Sequence, residues 1–162
     1  MASGKSTIAK ALADNLGYEW IDIDARIETQ EACSIQQLFQ TKGEAYFREQ
    51  EAYLLRSLIS KENVVVAAGG GTPCFHDNMK FIETYFFSVF LKVPEDVLVS
   101  RLSQESQSRP LLNNVSSIAE FVHQQLNSRM RFYQRAHVIV HLNDESVEDV
   151  VVKINRLITW KN

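Results

Sequence analysis

Five apolar residues, Val64-Val65-Val66-Ala67-Ala68, run directly into Gly69-Gly70-Gly71, and that junction limits the fold more than any other stretch of the chain. A strand with one wet face alternates apolar and polar residues. An unbroken apolar run instead implies burial on both faces, as in a parallel sheet covered by helices. The glycines then fall at the carboxyl end of the strand, where open parallel sheets gather their ligands. Lacking Cβ atoms, they let backbone come close to whatever binds. A hairpin does not account for them, because the chain continues into helical sequence.

The remaining sequence keeps the helix–strand alternation that such a sheet needs. Lys5 to Leu16 reads as a helix with Ile8, Leu12 and Leu16 on one face, stopped by Gly17. Tyr18 to Ile23 reads as a short strand. Ser34-Ile35-Gln36-Gln37 is a capping box; its helix is expected to end near Gly43, and Glu44 to Ser60 forms a second helical stretch with Phe47, Leu54 and Leu58 inward. A weaker helix is expected over Asn78 to Tyr85 and a strand over Ser88 to Val93, with Pro94 suited to the first turn of the helix that follows. Gln104 to Asn114 is polar and reads as a mobile loop. A long helix is expected from Ser117 to about Arg135, a strand over Val138 to Leu142, and a last helix capped by Ser146, with Val150, Ile154 and Leu157 inward. There is no repeat, low-complexity tract or linker, and 162 residues suit one domain.

The chemistry begins at Ser3-Gly4-Lys5-Ser6-Thr7. A phosphate-binding loop has the pattern glycine, four residues, then Gly-Lys-Ser/Thr; here the leading glycine and its preceding strand are not in the sequence. What remains is chemically coherent. Backbone N–H groups near Gly4 and the positive end of the helix can hold phosphate. Lys5 can reach the β- and γ-phosphates, and the Ser6 hydroxyl can ligate Mg²⁺. A chance Gly-Lys-Ser is the plain alternative, but this one opens an alanine-rich helix that leads to a strand ending in acids.

Asp22-Ile23-Asp24 places two carboxylates on one face at that strand's end, since strand side chains alternate. One can support Mg²⁺ through water and the other face an acceptor hydroxyl; an ordinary acidic loop is the alternative. Phe47-Arg48-Glu49-Gln50-Glu51 sets Arg48 and Glu51 on neighbouring helical turns, as a surface ion pair would also do. Arg109-Pro110-Leu111-Leu112 lies in the polar loop, and Arg129 shares a helix face with Tyr133.

In this order, Gly-Lys-Ser-Thr, Ile-Asp-Ile-Asp, Phe-Arg-x-x-Glu, Gly-Gly-Gly, Arg-Pro-Leu-Leu and Arg-x-x-x-Tyr resemble the shikimate kinase family over nearly the whole chain. The resemblance implies an α/β, three-layer phosphate-loop kinase fold with a five-stranded parallel sheet of order 2-3-1-4-5, whose first, central strand is missing from this sequence. It implies a single domain over 1–162 with a lid at about 104–116 and a substrate-binding helical region at about 25–60. The implied reaction is ATP-dependent phosphorylation of the shikimate 3-hydroxyl, with ATP and Mg²⁺ as cofactors and shikimate as the small-molecule partner. Lys5, Asp24 and Arg109 take catalytic roles. Arg48 and Arg129 clamp the substrate carboxylate, Glu51 holds the acceptor site, and Gly69, Gly70 and Gly71 line it, the middle one offering its N–H. Ser3, Gly4, Lys5, Ser6, Thr7, Arg101 and Arg109 fall to the nucleotide, and Ser6 and Asp22 to the metal. The adenine loop should fall near Asn143 to Ser146. Two positions depart from the pattern: Ala2 stands where the family usually has glycine, and Ala67-Ala68 offer no hydroxyl near the metal.

A gluconate-kinase-like enzyme and a non-catalytic ligand-binding relative are the competing functions; Arg48, Arg129 and the glycine triplet disfavour the first, intact Lys5, Asp24 and Arg48 the second. A net charge of −3 argues against a general nucleic-acid binder, which carries a basic excess. Cys33 and Cys74 are too few for a disulfide framework and read as free thiols of a reducing, cytoplasmic compartment. No apolar run approaches the ~20 residues that span a bilayer. No leader is expected, since chemistry starts at position 3, and a monomer is the default. Met1 is expected to be an internal methionine of the loop, with roughly ten residues lost upstream, enough for one strand.

Overall fold

A computed structural model describes residues 2–105 and 117–159. Helix α1 (Lys5–Leu16) starts at Gly4 and stops at Gly17, both in the left-handed region at φ 76 and 69. Beyond the stop, the Tyr18 N–H returns to the Ala13 carbonyl at 2.9 Å, which satisfies an orphan acceptor of the last turn. Strand β1 (Glu19–Asp22) follows at once.

The chain then departs from the sequence expectation. Asp22 ends the strand and caps a helix, α2 (Ile23–Glu31), accepting the Ala25 N–H on its side chain. Asp24 therefore sits in the first turn of a helix. It is the turn of α2, and not strand alternation, that sets Asp24 relative to Asp22. Helix α3 (Ile35–Ser57) begins at the expected capping box, with Ser34 and Gln37 bonded reciprocally. At Gly43 the backbone leaves helical geometry (φ 83, ψ 166) and re-enters it, so the expected break is present as a kink.

Strand β2 (Val64–Ala67) leads through the glycines into a single 3-10 turn at Thr72–Cys74 and then α4 (Asn78–Tyr85). Strand β3 (Val89–Lys92), α5 (Glu95–Glu105), α6 (Ile118–Tyr133), β4 (Val138–His141) and α7 (Val147–Thr159) complete the order. The expected lid at 104–116 lies almost wholly outside the described residues, and Arg109 with it.

The described strands form two parallel pairs. β1 runs beside β2 with Asp22 opposite Ala67, and β3 runs beside β4 with Leu91 opposite Val140. A continuous five-stranded sheet is not seen among the described residues. Both pairs nevertheless feed one core, in which Val65 of β2 and Val89 and Leu91 of β3 pack with Ile8 and Leu12 of α1 and Val150 and Ile154 of α7. The next residue along, Val66, packs on the opposite side with Ile23, Ile27, Leu38, Phe47 and Leu55 from α2 and α3. β2 is thus covered by helices on both faces, as its apolar run requires. Val64, Val65 and Val66 are only half-buried all the same, because among the described residues β1 is the one strand hydrogen-bonded beside them. No helix of the described residues is long and apolar enough to cross a membrane.

Candidate active site

The carboxyl ends of β1 and β2 and the amino end of α1 meet at one place. The first N–H groups of a helix have no partner within it, so α1 presents donors there. Ser6 Oγ donates to Asp22 Oδ2 at 2.6 Å, joining the loop to the end of β1. Lys5 lies close enough to Asp24 for its charge to act on that carboxyl. The Arg101 guanidinium, from α5, donates to the Ala2 carbonyl at 3.2 Å and so flanks the same loop. Ser3 is half-buried, and Gly4 and Thr7 are exposed.

Ala2 carries the cost of its departure from glycine. Its φ is 51, the left-handed region, where a Cβ costs roughly 1–2 kcal/mol. Ala2→Gly is therefore expected to raise the melting temperature modestly, by about 2–4 °C if about 1 kcal/mol is recovered, and to tighten nucleotide binding. Paired melts with and without ADP check it.

Beside the glycine triplet Arg48 and Glu51 are buried, at 9% and 1% exposure, so the pair is no surface ornament. Arg48 Nη1 donates to Glu51 Oε2 at 2.6 Å, while Nε and Nη2 both reach Glu44 Oε1 at 3.0 and 2.7 Å. The rings of Phe47 and Phe75 lie 5.0 and 4.7 Å from the guanidinium carbon. The glycines are required by this packing. A Cβ on Gly71 would stand 2.5 Å from Arg48 Nη1, and one on Gly69 would meet Glu51 Oε1 at 2.9 Å and Asp24 Oδ1 at 3.0 Å. Two carboxylates from different helices therefore converge on the backbone of Gly69.

Asp24 Oδ1 is buried without a hydrogen-bond partner among the described residues. Burial pushes its carboxyl above the ordinary aspartate range; Lys5 and Arg48 pull against that, and Glu51 and Asp22 add to it. A buried acceptor without a donor is costly, and it marks where a ligand's donor belongs.

Arg129 and Tyr133 of α6 close the far side. The Tyr133 hydroxyl donates to the Gly70 carbonyl at 2.6 Å, which fixes the peptide that follows Gly70. Burial raises the Tyr133 phenol, with the Arg129 charge and hydrogen bond opposing, so it stays a donor at neutral pH. Burial likewise raises the Cys74 thiol, opposed by the charges of Arg129 and then Arg48, so both arginines lie within electrostatic reach of that sulfur. Asn143 and Ser146 precede α7, where the Ser146 hydroxyl accepts the Asp149 N–H at 3.1 Å.

Sequence reasoning missed four residues here. Glu44 stood four positions before Arg48, a spacing that announces a helical pair. Phe75, Thr72 and Asn78 carried no local signal, because only the tertiary fold brings Phe75 to Arg48, Thr72 to Glu51, and Asn78 to Arg56.

A helix amino end whose Ser6 meets Asp22, and a buried arginine–carboxylate pair packed on the glycine triplet, match a small-molecule kinase of the phosphate-loop class. A family model described as shikimate kinase matches residues 1–159. A shikimate kinase of Bacteroides thetaiotaomicron is 40% identical over 151 residues, covering 92% of this chain and 85% of the relative. The crystal structure of shikimate kinase from B. thetaiotaomicron superposes with a TM-score of 0.91 at 38% identity, over 98% of this chain and 94% of that one. Shikimate kinase from Acinetobacter baumannii in complex with shikimate superposes with a TM-score of 0.92 at 31% identity, over 100% and 90%. The chain belongs to the shikimate kinase family, a family of phosphotransferases.

Proposed function

We propose that this chain transfers the γ-phosphoryl group of ATP to the 3-hydroxyl of shikimate, giving 3-phosphoshikimate and ADP, as a step of aromatic amino-acid biosynthesis. The observation that carries the reading is the convergence on the glycine triplet. The Glu51 and Asp24 carboxylates both approach Gly69, and the Arg48 guanidinium lies against Gly71. An acid bearing several hydroxyls matches that surface: a guanidinium fork for its carboxylate, and an unpartnered acceptor, Asp24 Oδ1, for a hydroxyl proton.

In the proposed reaction the acceptor hydroxyl oxygen forms its bond to the γ-phosphorus while the bond to the β–γ bridging oxygen breaks. The hydroxyl proton passes to Asp24, and ADP leaves. Arg48 and Arg129 hold the acid in line, Gly70 offers its N–H, and Glu51 keeps Arg48 in place. Ser3, Gly4, Lys5, Ser6 and Thr7 hold the phosphates. Arg109 is assigned to the same phosphates by the family resemblance, within a lid at about 104–116, and Arg101 to the adenine side. The residues present fit Mg²⁺. Ser6 and Asp22 bring a hydroxyl and a carboxylate to one point, and Mg²⁺ takes few protein oxygens, filling its shell with water and phosphate. When bound, it neutralises charge on the nucleotide.

The same reading assigns the two strand pairs to one five-stranded parallel sheet, with a further strand between β2 and β3. Support comes from the half-buried valines of β2 and the core that both pairs share. A single cytoplasmic, monomeric domain, with its substrate-binding helices at about 25–60, completes the proposal.

The test is ADP release with ATP and Mg²⁺, with shikimate, gluconate or no acceptor. Release strictly dependent on shikimate is expected. Turnover of gluconate but not of shikimate would refute the reading, and ligand-induced stabilisation without turnover of either acid would favour a binding protein. Arg48→Lys adds a second check. Lysine cannot form the fork, so KM for shikimate is expected to rise about tenfold or more, equivalent to the loss of one charge-assisted contact, with KM for ATP little changed. Equal losses for both ligands would remove Arg48 from the acceptor site.

A further inference from the structure

We propose that Thr72, Asn78 and Arg56 form a positioning relay for the acceptor pocket, fixing the Glu51 carboxylate and, through it, the Arg48 guanidinium. The proposal rests on the acceptor reading given above and adds three residues that touch no substrate. The relay leaves α3 and returns to it. Arg56, near the end of α3, donates from Nη1 to Asn78 Oδ1 and from Nη2 to the His76 carbonyl, both at 2.7 Å. The Asn78 amide donates to the Thr72 carbonyl at 2.8 Å. The Thr72 hydroxyl donates to Glu51 Oε1 at 2.5 Å. Glu51, five residues before Arg56 on the same helix, accepts Arg48 Nη1 on its other oxygen.

Three features separate this chain of bonds from ordinary surface pairing. First, its inner members are sealed: Thr72 and Asn78 are 0% exposed and Glu51 1%, so water cannot replace a lost partner. Second, each Glu51 oxygen is held by a different donor, Thr72 on one and Arg48 on the other. Removing the hydroxyl frees the carboxylate to rotate and loosens its hold on Arg48 Nη1, leaving Glu44 to hold Nε and Nη2 alone. Third, Thr72 is tied to the glycine triplet, since its N–H donates to the Gly69 carbonyl at 3.1 Å. The turn that links Thr72 to Asn78 includes His76 and Asp77, consecutive non-glycine residues at φ 50 and 55. Such a turn persists only where its surroundings enforce it, and Arg56 fastens it at the His76 carbonyl. The relay thus sets the Glu51 carboxylate through Oε1, the oxygen that does not meet Arg48.

The experiment measures KM for shikimate and for ATP, kcat and melting temperature on the full chain. Wild-type turnover is scored first; its absence would fail the functional reading itself, whereas wild-type activity leaves the variants to judge the relay alone. Thr72→Val, which keeps the shape and removes the donor, is expected to raise KM for shikimate about tenfold, the factor for one lost hydrogen bond to a charged group. KM for ATP should stay within about twofold, since no relay residue faces the phosphate loop. Thr72→Ser should restore KM for shikimate to within about twofold of wild type, because the donor returns. Arg56→Met, at the outer end, should raise it about threefold, less than the direct loss because the effect passes through two further contacts. A wild-type KM for shikimate in Thr72→Val overturns the proposal. So does an equal rise in both KM values with a lowered melting temperature that Thr72→Ser shares, which is the mark of a merely structural role. Should Thr72→Val fail to fold, Arg56→Met decides: an unchanged KM for shikimate there overturns the relay.

Discussion

Asp24→Asn is expected to slow shikimate-dependent ADP release by orders of magnitude while raising the melting temperature at neutral pH. Asparagine keeps the shape of the side chain and removes its basicity. With Asp24 as the group that takes the hydroxyl proton, kcat should fall by about 10²–10⁴, the usual contribution of a positioned base. The stability gain follows from the same burial. The Asp24 carboxyl is raised above its ordinary value by desolvation first, against the pull of Lys5. The native state therefore binds the proton more tightly than the unfolded chain does. Stability is then greatest below the unfolded value and is lost as pH rises toward the folded one, and the loss persists at neutral pH. The variant has no such group. Its melting temperature at pH 7 should exceed wild type, by about 3 °C for each ~1 kcal/mol of relieved desolvation, and the wild-type decline across the acid window should flatten. A variant less stable than wild type at pH 7 would mean that attraction to Lys5 outweighs desolvation. A variant that still turns over would remove Asp24 from the proton path.

What the sequence made legible was local. Gly17 and the Ser34–Gln37 box mark helix ends because the bonds that close a helix lie within a few residues, and both ends fall where expected. The Gly-Lys-Ser triplet was legible for the same reason, and Arg48 and the glycines stood out once six motifs stood in family order; the Asp22–Asp24 pair was visible, but a helical turn and not strand alternation sets its geometry. α2 was not legible: Asp22 looked like the end of a strand and is also the cap of a helix. The burial of β2 was overestimated, because a run of valines specifies apolar neighbours but not how many strands stand beside it. Thr72 and Asn78 were invisible, since a buried hydroxyl and a buried amide have no periodicity and acquire partners only across the tertiary fold. The strain at Ala2 depended on a backbone angle that composition cannot supply.

Gly71→Ala should separate substrate binding from folding more sharply than any change at a charged residue. The backbone at Gly71 has φ −88 and ψ −22, which any residue adopts, so the substitution carries no conformational penalty of its own. The obstacle is space. The new Cβ would stand 2.5 Å from Arg48 Nη1 and 2.8 Å from both Cζ and Nη2, well inside contact distance. A free arginine would swing aside at little cost. This one is held by Glu44 and Glu51 and lies against the rings of Phe47 and Phe75, and its planar fork must keep a fixed orientation to grip a carboxylate. Displacement should forfeit both parallel contacts, raising KM for shikimate about a hundredfold, equivalent to about 2.7 kcal/mol, while ADP binding stays near wild type. Gly17→Ala is the converse control. There nothing lies within 4 Å of the added atom, but φ is 69, so stability should fall by roughly 1–2 kcal/mol with KM for shikimate unchanged. Titration of each variant with shikimate and with ADP, beside thermal melts, reads both quantities. Wild-type affinity for shikimate in Gly71→Ala would show that the acid is held elsewhere than at the Arg48 fork, and the acceptor pocket would have to be redrawn around Arg129.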